Sequence, residues 1–384
     1  MQSITEKLGA PPVLPSVKKP PCIDNISLTI TVATPMVGGG VEAGEVDEKR
    51  PVRIPSIRGQ LRYWWRIMNM NKPDLADKEA EIWGSTDKCS KVSVDIPEQP
   101  NILLRYCENN FDFKDKFGPE AYALFASRQN KQNIAREGFS FTLHLNYPQE
   151  FNNDVRLALS AWLYFGGLGA RTRRGCGSLY CTQNLMSIGQ VLKSAPYITL
   201  WLKKANDGIS AWSYAVKVYR SYRQNRNKGE GPRPGRSKWP EADSLRKITG
   251  KSPRKHSIPI TSPLPSFPRA ALGMPIIFQF SPQDRDYEPD KIQITPKNSG
   301  RMSSPVITKA IYKNGSWYSA VIILPHDEAF RTELKLTNTD AEKYEIPPLK
   351  SAAYKIIEPM KGTNDAISGF EQFISGDFWK EAAE

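Results

Sequence analysis

Residues Phe165–Leu179 read FGGLGARTRRGCGSL. Five glycines (Gly166, Gly167, Gly169, Gly175 and Gly177) are threaded with three arginines (Arg171, Arg173 and Arg174). Glycine permits positive φ and lets a backbone come close to a ligand. Backbone N–H groups beside guanidinium groups make an anion site, and phosphate is the anion that uses both. The competing reading is a tight turn with no ligand; the three arginines favour the ligand. An apolar run, Val155–Phe165, precedes the stretch, and a strand-like run, Ser178–Thr182, follows it. The glycine-rich segment therefore turns a corner between a helix and a strand.

Outward from that corner, strands and helices alternate. SLTITV (27–32), VSVDI (92–96) and GFSFTLHL (138–145) have the period of two expected of strands. Between the first two lies RPVRIPSIRGQLRYWWRIMNM (50–70). Pro55-Ser56 marks a helix start with Ser56 as N-cap. Leu61, Trp64, Trp65 and Met68 supply the apolar sides of this helix. Arg58, Arg62 and Arg66 recur every fourth residue and fall within about 80° of arc. Such a ridge is ordinarily a solvated edge. Gly59, in the first turn, costs about 1 kcal/mol against alanine and implies close approach by another backbone or a ligand. Asn153 or Asp154 caps the apolar helix that ends at Phe165. The order over residues 26–183 is β-α-β-β-α-β, an α+β, ferredoxin-like arrangement that RNA-recognition domains also use. MVGGGVEAGEVDEK (36–49) lacks the GK[ST] ending of a P-loop and reads as a flexible surface loop.

The charge balance points to a polyanion. The 384 residues carry 53 Lys+Arg against 40 Asp+Glu, a formal net charge of +13. Residues 220–255 alone hold twelve basic and three acidic side chains. Concentrated positive charge suits nucleic acid. The rival, an anionic membrane surface, needs an apolar alternate face that this stretch lacks. Five scattered cysteines without a CxxC pair fit a reducing, cytoplasmic setting. The N-terminus lacks the apolar segment of a secretory signal, and no run of 18 apolar residues occurs, so no membrane partner is expected.

The second half is less regular and is open to reading as a divergent copy of the first. Asp207–Asn225 has Trp212, Ala215, Val218, Tyr219 and Tyr222 at helical spacing. A basic Pro/Gly-rich run follows, in which Arg233, Arg236 and Lys238, with Trp239, suit a phosphate backbone; a solvated loop is the alternative. PIIFQF (275–280) reads as a strand. Ile307–Tyr312 and Trp317–Leu324 read as a hairpin across Asn314-Gly315, and Asp365–Phe378 as a last helix. The expected division is a Pro-rich flexible arm (1–23), one domain over 24–195, and a second over 196–384 with a basic insertion at 220–256. The three histidines, His144, His256 and His326, are isolated. HExxH and GxSxG patterns are absent and the acidic residues are spread out, without a pair suited to two-metal phosphoryl transfer, so catalytic residues, a metal and a cofactor are not expected.

IPSIRGQLRYWWR (54–66), IWGS (82–85), GGLGARTRRGCGSL (166–179), FPRAALGMPIIFQF (267–280) and RMSSPV (301–306) together resemble the RAMP superfamily of CRISPR effectors. Within it they are most similar to the first-named RAMP subunit of the type III-B Cmr complex. The resemblance implies two packed ferredoxin-like (RRM-like) RAMP domains, each with a glycine-rich loop. It implies a non-catalytic subunit in antiviral defence that sits near the 3′ part of the guide. Its expected partners are CRISPR guide RNA, complementary single-stranded target RNA and other Cmr subunits. RNA contacts carry over to Arg58, Arg62, Arg66, Arg171, Arg173 and Arg174, with Gly167 and Gly169 shaping the loop, and to Arg269 and Arg301 in the second domain. The alternative is a metal-independent RNA endonuclease that processes guide RNA, with His256 as its base.

Overall fold

A computed structural model describes residues 22–106, 119–125, 132–183, 186–226, 237–251, 265–280, 287–337, 346 and 348–383. The first half runs β1 (Ile23–Val32), β2 (Met36–Val37), α1 (Ile54–Met68), α2 (Leu75–Trp83), β3 (Ser93–Asp95), β4 (Leu104–Tyr106), α3 (Pro119–Ala123), β5 (Asn133–Ala135), β6 (Ser140–Pro148), α4 (Asn152–Phe165) and β7 (Leu179–Tyr180). Its main sheet is antiparallel with order β3-β6-β1-β7. The alternation in β1 sets the register. Ile26, Leu28 and Ile30 lie opposite Leu145, Leu143 and Phe141 and are buried, while Ser27 and Thr29 face out.

Helix α5 (Ile188–Ser194) packs on the first half's core and leads into the second half, which runs β8 (Thr199–Ala205), α6 (Gly208–Gln224), α7 (Glu241–Thr249), β9 (Ile276–Phe278), β10 (Ile292–Pro296), β11 (Val306–Lys313), β12 (Ser316–Ile323), α8 (Asp327–Phe330), β13 (Leu334–Leu336), α9 (Ala366–Ile374) and β14 (Trp379–Lys380). Its main sheet has order β11-β12-β8-β14, also antiparallel. In both halves the third strand of the main sheet pairs with the first, and the fourth lies on the first strand's other edge. The two halves therefore share one strand–helix–strand–strand–helix–strand order. Small sheets, β2-β5-β4 and β13-β10-β9, flank them.

The halves share a core. Leu200, Leu202, Ile307, Ile311 and Ile322 of the second sheet join the buried cluster built by β1, β6, α1 and α4. Val306, Val321 and Ile323 pack with Tyr219 of α6 and Phe370 of α9 in another cluster. The layers are thus sheet, helices, sheet, helices, with α4 between the two sheets.

Several local expectations are corrected. The N-cap of α1 is Arg53 rather than Ser56: the Arg53 carbonyl accepts the N–H groups of Ser56 and Ile57, which draws Pro55 and Ser56 into the first turn. Asn153 and Asp154 lie inside α4, because a 3-10 turn at Gln149–Phe151 starts the coil early; Asp154 instead accepts the Trp65 indole N–H at 2.8 Å. Strand β8 went unread since Lys203 and Lys204 break its apolar alternation. PIIFQF contributes only Ile276–Phe278, and to the small β13-β10-β9 sheet. Met36–Val37 of the expected loop is strand β2, paired with β5. The last helix stops at Ile374; Asp365 is its N-cap, accepting from the Ile367 and Ser368 N–H groups. Both Asp207, which caps α6, and the Asn314-Gly315 hairpin turn are observed, the latter with φ of 49° and 75°.

Candidate nucleic-acid interface

The glycine-rich segment lies at the seam between the two halves. Its backbone closes on the protein itself. Leu168 N–H donates to the Gly177 carbonyl (2.9 Å), Ala170 N–H to Val37 (2.5 Å) and Gly177 N–H to Pro35 (2.9 Å). Thr34 Oγ1 donates to the Gly175 carbonyl at 2.6 Å. Gly167 is buried, and Gly169 packs against Val37 and Gly38. Gly175 has φ 71°, and a Cβ there would stand 2.6 Å from the Thr308 carbonyl oxygen and 2.6 Å from Trp212. Only glycine lets this corner press against β11 and α6. The Leu168, Ala170 and Gly177 N–H groups, expected as part of an anion cradle, are thus turned onto acceptors within the protein.

The loop arginines also point into the seam. Arg171, at φ 58°, donates to the Ala123 carbonyl at the end of α3. Arg173 donates to Ser304 O (2.8 Å) and to Tyr63 Oη of α1 (2.8 Å). Arg174 donates to Val306 O (2.8 Å), and its guanidinium stands 3.7 Å over the Tyr219 ring. Burial pulls the Arg174 pKa below the usual arginine value. The carbonyls that Arg173 and Arg174 reach at Ser304 and Val306 belong to the second half, so these two guanidinium groups fasten one half to the other, while Arg171 ties the segment to α3 of the first.

On α1 the arginine ridge is split. Arg62 and Arg66 both bind Glu79 of α2, Arg66 through Nε at 2.6 Å and Nη2 at 2.5 Å. The Glu79 side chain is only 6% exposed. Its hydrogen bond from Arg66 is the main force lowering its pKa, with Arg62 adding to it. Arg58 differs: it is exposed, and Gly59 beside it has nothing within 4 Å of an added Cβ. The backbone whose approach Gly59 implied is therefore not one of the described residues. Arg53, at the same helix end, donates to the Gly40 carbonyl at 3.1 Å. That contact brings the Gly38–Gly40 loop to the start of α1, and Gly39 in turn rests on Gly169. Arg58 and Gly59 thus lie exposed on the first turns of α1, at the helix end that Arg53 ties to the Gly38–Gly40 loop; this helix end is the rim.

In the second half, Arg269 is turned inward. It donates to the Arg223 carbonyl at 3.0 Å and faces Glu241 at 3.6 Å, and burial lowers its pKa. Arg301 is exposed beside a cavity. Lys238 pairs with Glu358. Arg233, Arg236, His256 and residues 1–21 of the Pro-rich arm lie outside the described residues. Among the described residues no group of three or more His, Cys, Asp or Glu is placed to hold a metal ion, and no helix is long and apolar enough to cross a membrane.

Sequence reading missed the groups that build the seam. Lys309, fully buried on β11, donates to the Gly166 (2.6 Å) and Leu163 (3.3 Å) carbonyls at the end of α4. Its strand, VITKAIYK, puts Lys309 on the same face as Ile307 and Ile311. That placement was the available signal: a lysine at an apolar position of a strand needs a polar end to meet. Glu79 had no such signal, since LADKEAEIW reads as an ordinary surface helix.

This is a mixed α/β protein of antiparallel sheets, and its first half carries a family signature. A family model described as the RAMP superfamily matches residues 29–180, the stretch from β1 through the glycine-rich segment to β7. Those residues are similar to the RAMP superfamily. More particularly, it is similar to the CRISPR system Cmr subunit Cmr1-1 of Pyrococcus furiosus, 30% identical over 141 residues. That match covers 33% of this chain and spans 40% of the relative's length. Among solved structures, the apo crystal structure of Cmr1 from Pyrococcus furiosus aligns at 17% identity and TM-score 0.48, covering 80% of this chain and 88% of the other. A chain from a cryo-EM structure of the type III-B Cmr-beta complex bound to cognate target RNA aligns at 13% identity and TM-score 0.40, covering 91% and 99%.

Proposed function

We propose that this chain is a non-catalytic, RNA-binding RAMP subunit of a type III-B CRISPR (Cmr) effector complex, acting in the cytoplasm in antiviral defence. It contacts guide and target RNA near the 3′ end of the guide and packs against other Cmr subunits. On this reading residues 24–195 and 196–384 are two ferredoxin-like RAMP domains, a division that the shared strand order of the two main sheets supports. The sequence match to Cmr1-1 supports membership of a Cmr complex.

The observation that carries the RNA reading is the open rim: Arg58 and Gly59, exposed on the first turns of α1 at the helix end that Arg53 ties to the Gly38–Gly40 loop. A guanidinium without a carboxylate partner, beside glycines that admit a close backbone, suits a phosphodiester chain. Arg62, Arg66, Arg171, Arg173, Arg174 and Arg269 serve RNA indirectly, by holding the rim and the seam in shape. The test is fluorescence anisotropy of a single-stranded RNA with the full chain at several salt concentrations. Arg58→Ala is expected to weaken binding and to flatten the log–log salt slope by about 0.7, the effect of one lost phosphate contact, with an unchanged melting temperature. Equal affinity and slope for variant and wild type reject the rim as the contact.

A further inference from the structure

The small sheet β13-β10-β9 carries a cavity that the proposed rim does not use. It holds about 270 Å³ and lies between the exit of β10 and the α8–β13 connection. Lys297, Asn298, Arg301, Arg331 and Glu333 line it, so two segments about thirty residues apart meet there. Three of these side chains are cationic and one is anionic. The single carboxylate is spent: Glu333 binds Lys297 at 2.6 Å. Among the described residues neither the Arg301 nor the Arg331 guanidinium has a hydrogen-bond or carboxylate partner.

The walls are held in place. Met302 and Met274 exchange backbone hydrogen bonds of 3.1 and 2.9 Å, Lys297 N–H donates to Glu333 O at 2.8 Å, and Arg331 closes the short helix α8. Two exposed guanidinium groups, one on each of the two segments that line this concave site, are suited to an oxyanion, which guanidinium binds through paired N–H donors. The volume is just under the range of about 300–1,000 Å³ typical of small-molecule sites. It therefore suits a single charged group, free or part of a longer strand. Arg301 is three positions before Ser304, the acceptor of Arg173, so the two lie within about 11 Å of each other by chain length.

We propose that Arg301 and Arg331 form a phosphoryl-binding pocket. Resting on the RNA reading above, the pocket holds a phosphate of the strand that crosses the rim. The oxyanion comes from that strand or from free phosphate, and two measurements separate them. In the first, the 31P line width of inorganic phosphate is followed as the full chain is added, for wild type and for Arg301→Ala/Arg331→Ala. Wild type is expected to broaden the line and the double variant to leave it narrow. In the second, single-stranded RNA is titrated by anisotropy between 50 and 200 mM salt. Loss of two contacts flattens the slope by about 1.4, so the variant loses about sevenfold less affinity over that range than wild type does.

Changes in both measurements assign the pocket to a strand phosphate. A change in phosphate broadening alone assigns it to free phosphate. Identical behaviour of variant and wild type in both overturns the pocket. So does displacement of phosphate by polyglutamate as effectively as by RNA of equal charge, which would make it a site for an acidic protein. If wild type broadens phosphate but binds no RNA, the RNA reading fails and the pocket stands. Arg301→Lys/Arg331→Lys, which keeps the charge, guards against a folding artefact by restoring part of the broadening.

Discussion

Lys309 offers the sharpest test of how the halves are joined. Its amine is fully buried and its pKa is lowered to about 7 from 10.5 by burial alone. Its hydrogen bonds to Gly166 O and Leu163 O put it at the negative end of α4, which favours an ammonium, but burial outweighs that attraction. Between pH 7 and 10.5 the unfolded chain therefore carries a proton here that the folded chain has shed. The unfolded state binds more protons, so stability rises with pH across that window. From pH 7 to pH 9 the gain integrates to about 2 kcal/mol. For 384 residues this corresponds to about 3 °C in melting temperature, taking about 2 cal/mol/K of unfolding entropy per residue. Lys309→Met removes the ionisable group. The variant orphans two carbonyls, which costs about 1–3 kcal/mol each and lowers its melting temperature at every pH. The diagnostic is the difference: thermal melts of both proteins at pH 7 and pH 9 should show the wild type gaining about 3 °C relative to the variant. Parallel shifts would falsify the reading of Lys309 as an amine desolvated at the seam.

Three further perturbations follow from named contacts. Glu79→Gln should destabilise by about 1–3 kcal/mol, the lower end being favoured because Arg62 and Arg66 are themselves part-exposed. Since the Glu79 pKa is lowered, the wild type's advantage should be full above the ordinary carboxylate range and vanish as pH falls through the folded value, which denaturant titrations at pH 7 and pH 3 would reveal. Gly175→Ala should be more damaging than a typical glycine-to-alanine change, at about 2 kcal/mol or more, because it adds both a positive-φ penalty and a clash with Thr308; a melting temperature within error of wild type argues against close packing at the seam. Cys176 is buried and its thiol is pushed up to about 12, so native protein at pH 8 should label with iodoacetamide at Cys22 and Cys89 but not at Cys176, as mass spectrometry would report.

What the sequence determined by itself was periodic and local. The alternation of SLTITV and GFSFTLHL, the apolar stripe of Leu61, Trp64, Trp65 and Met68, the helical spacing of Trp212, Ala215, Tyr219 and Tyr222 and the Asn-Gly turn each rest on neighbours within a few residues, and each is present in the fold. The family signature was legible for the same reason, being a string of short motifs. Tertiary structure alone decided what the arginines do. A guanidinium four positions from another is a charged ridge in any sequence; only the docking of α2 delivers Glu79 to Arg62 and Arg66 and leaves Arg58 open. Likewise, FGGLGARTRRGCGSL specifies close approach and positive charge without naming the partner. Its acceptors, Ser304 O and Val306 O, lie about 130 residues away, and backbone carbonyls carry no mark in the sequence. Burial also settles the cost of charge: Lys309 and Arg174 have their pKa values lowered because the second sheet covers the helices of the first half. The same folding brings Arg301 and Arg331 to one cavity, where no spacing rule would have joined them.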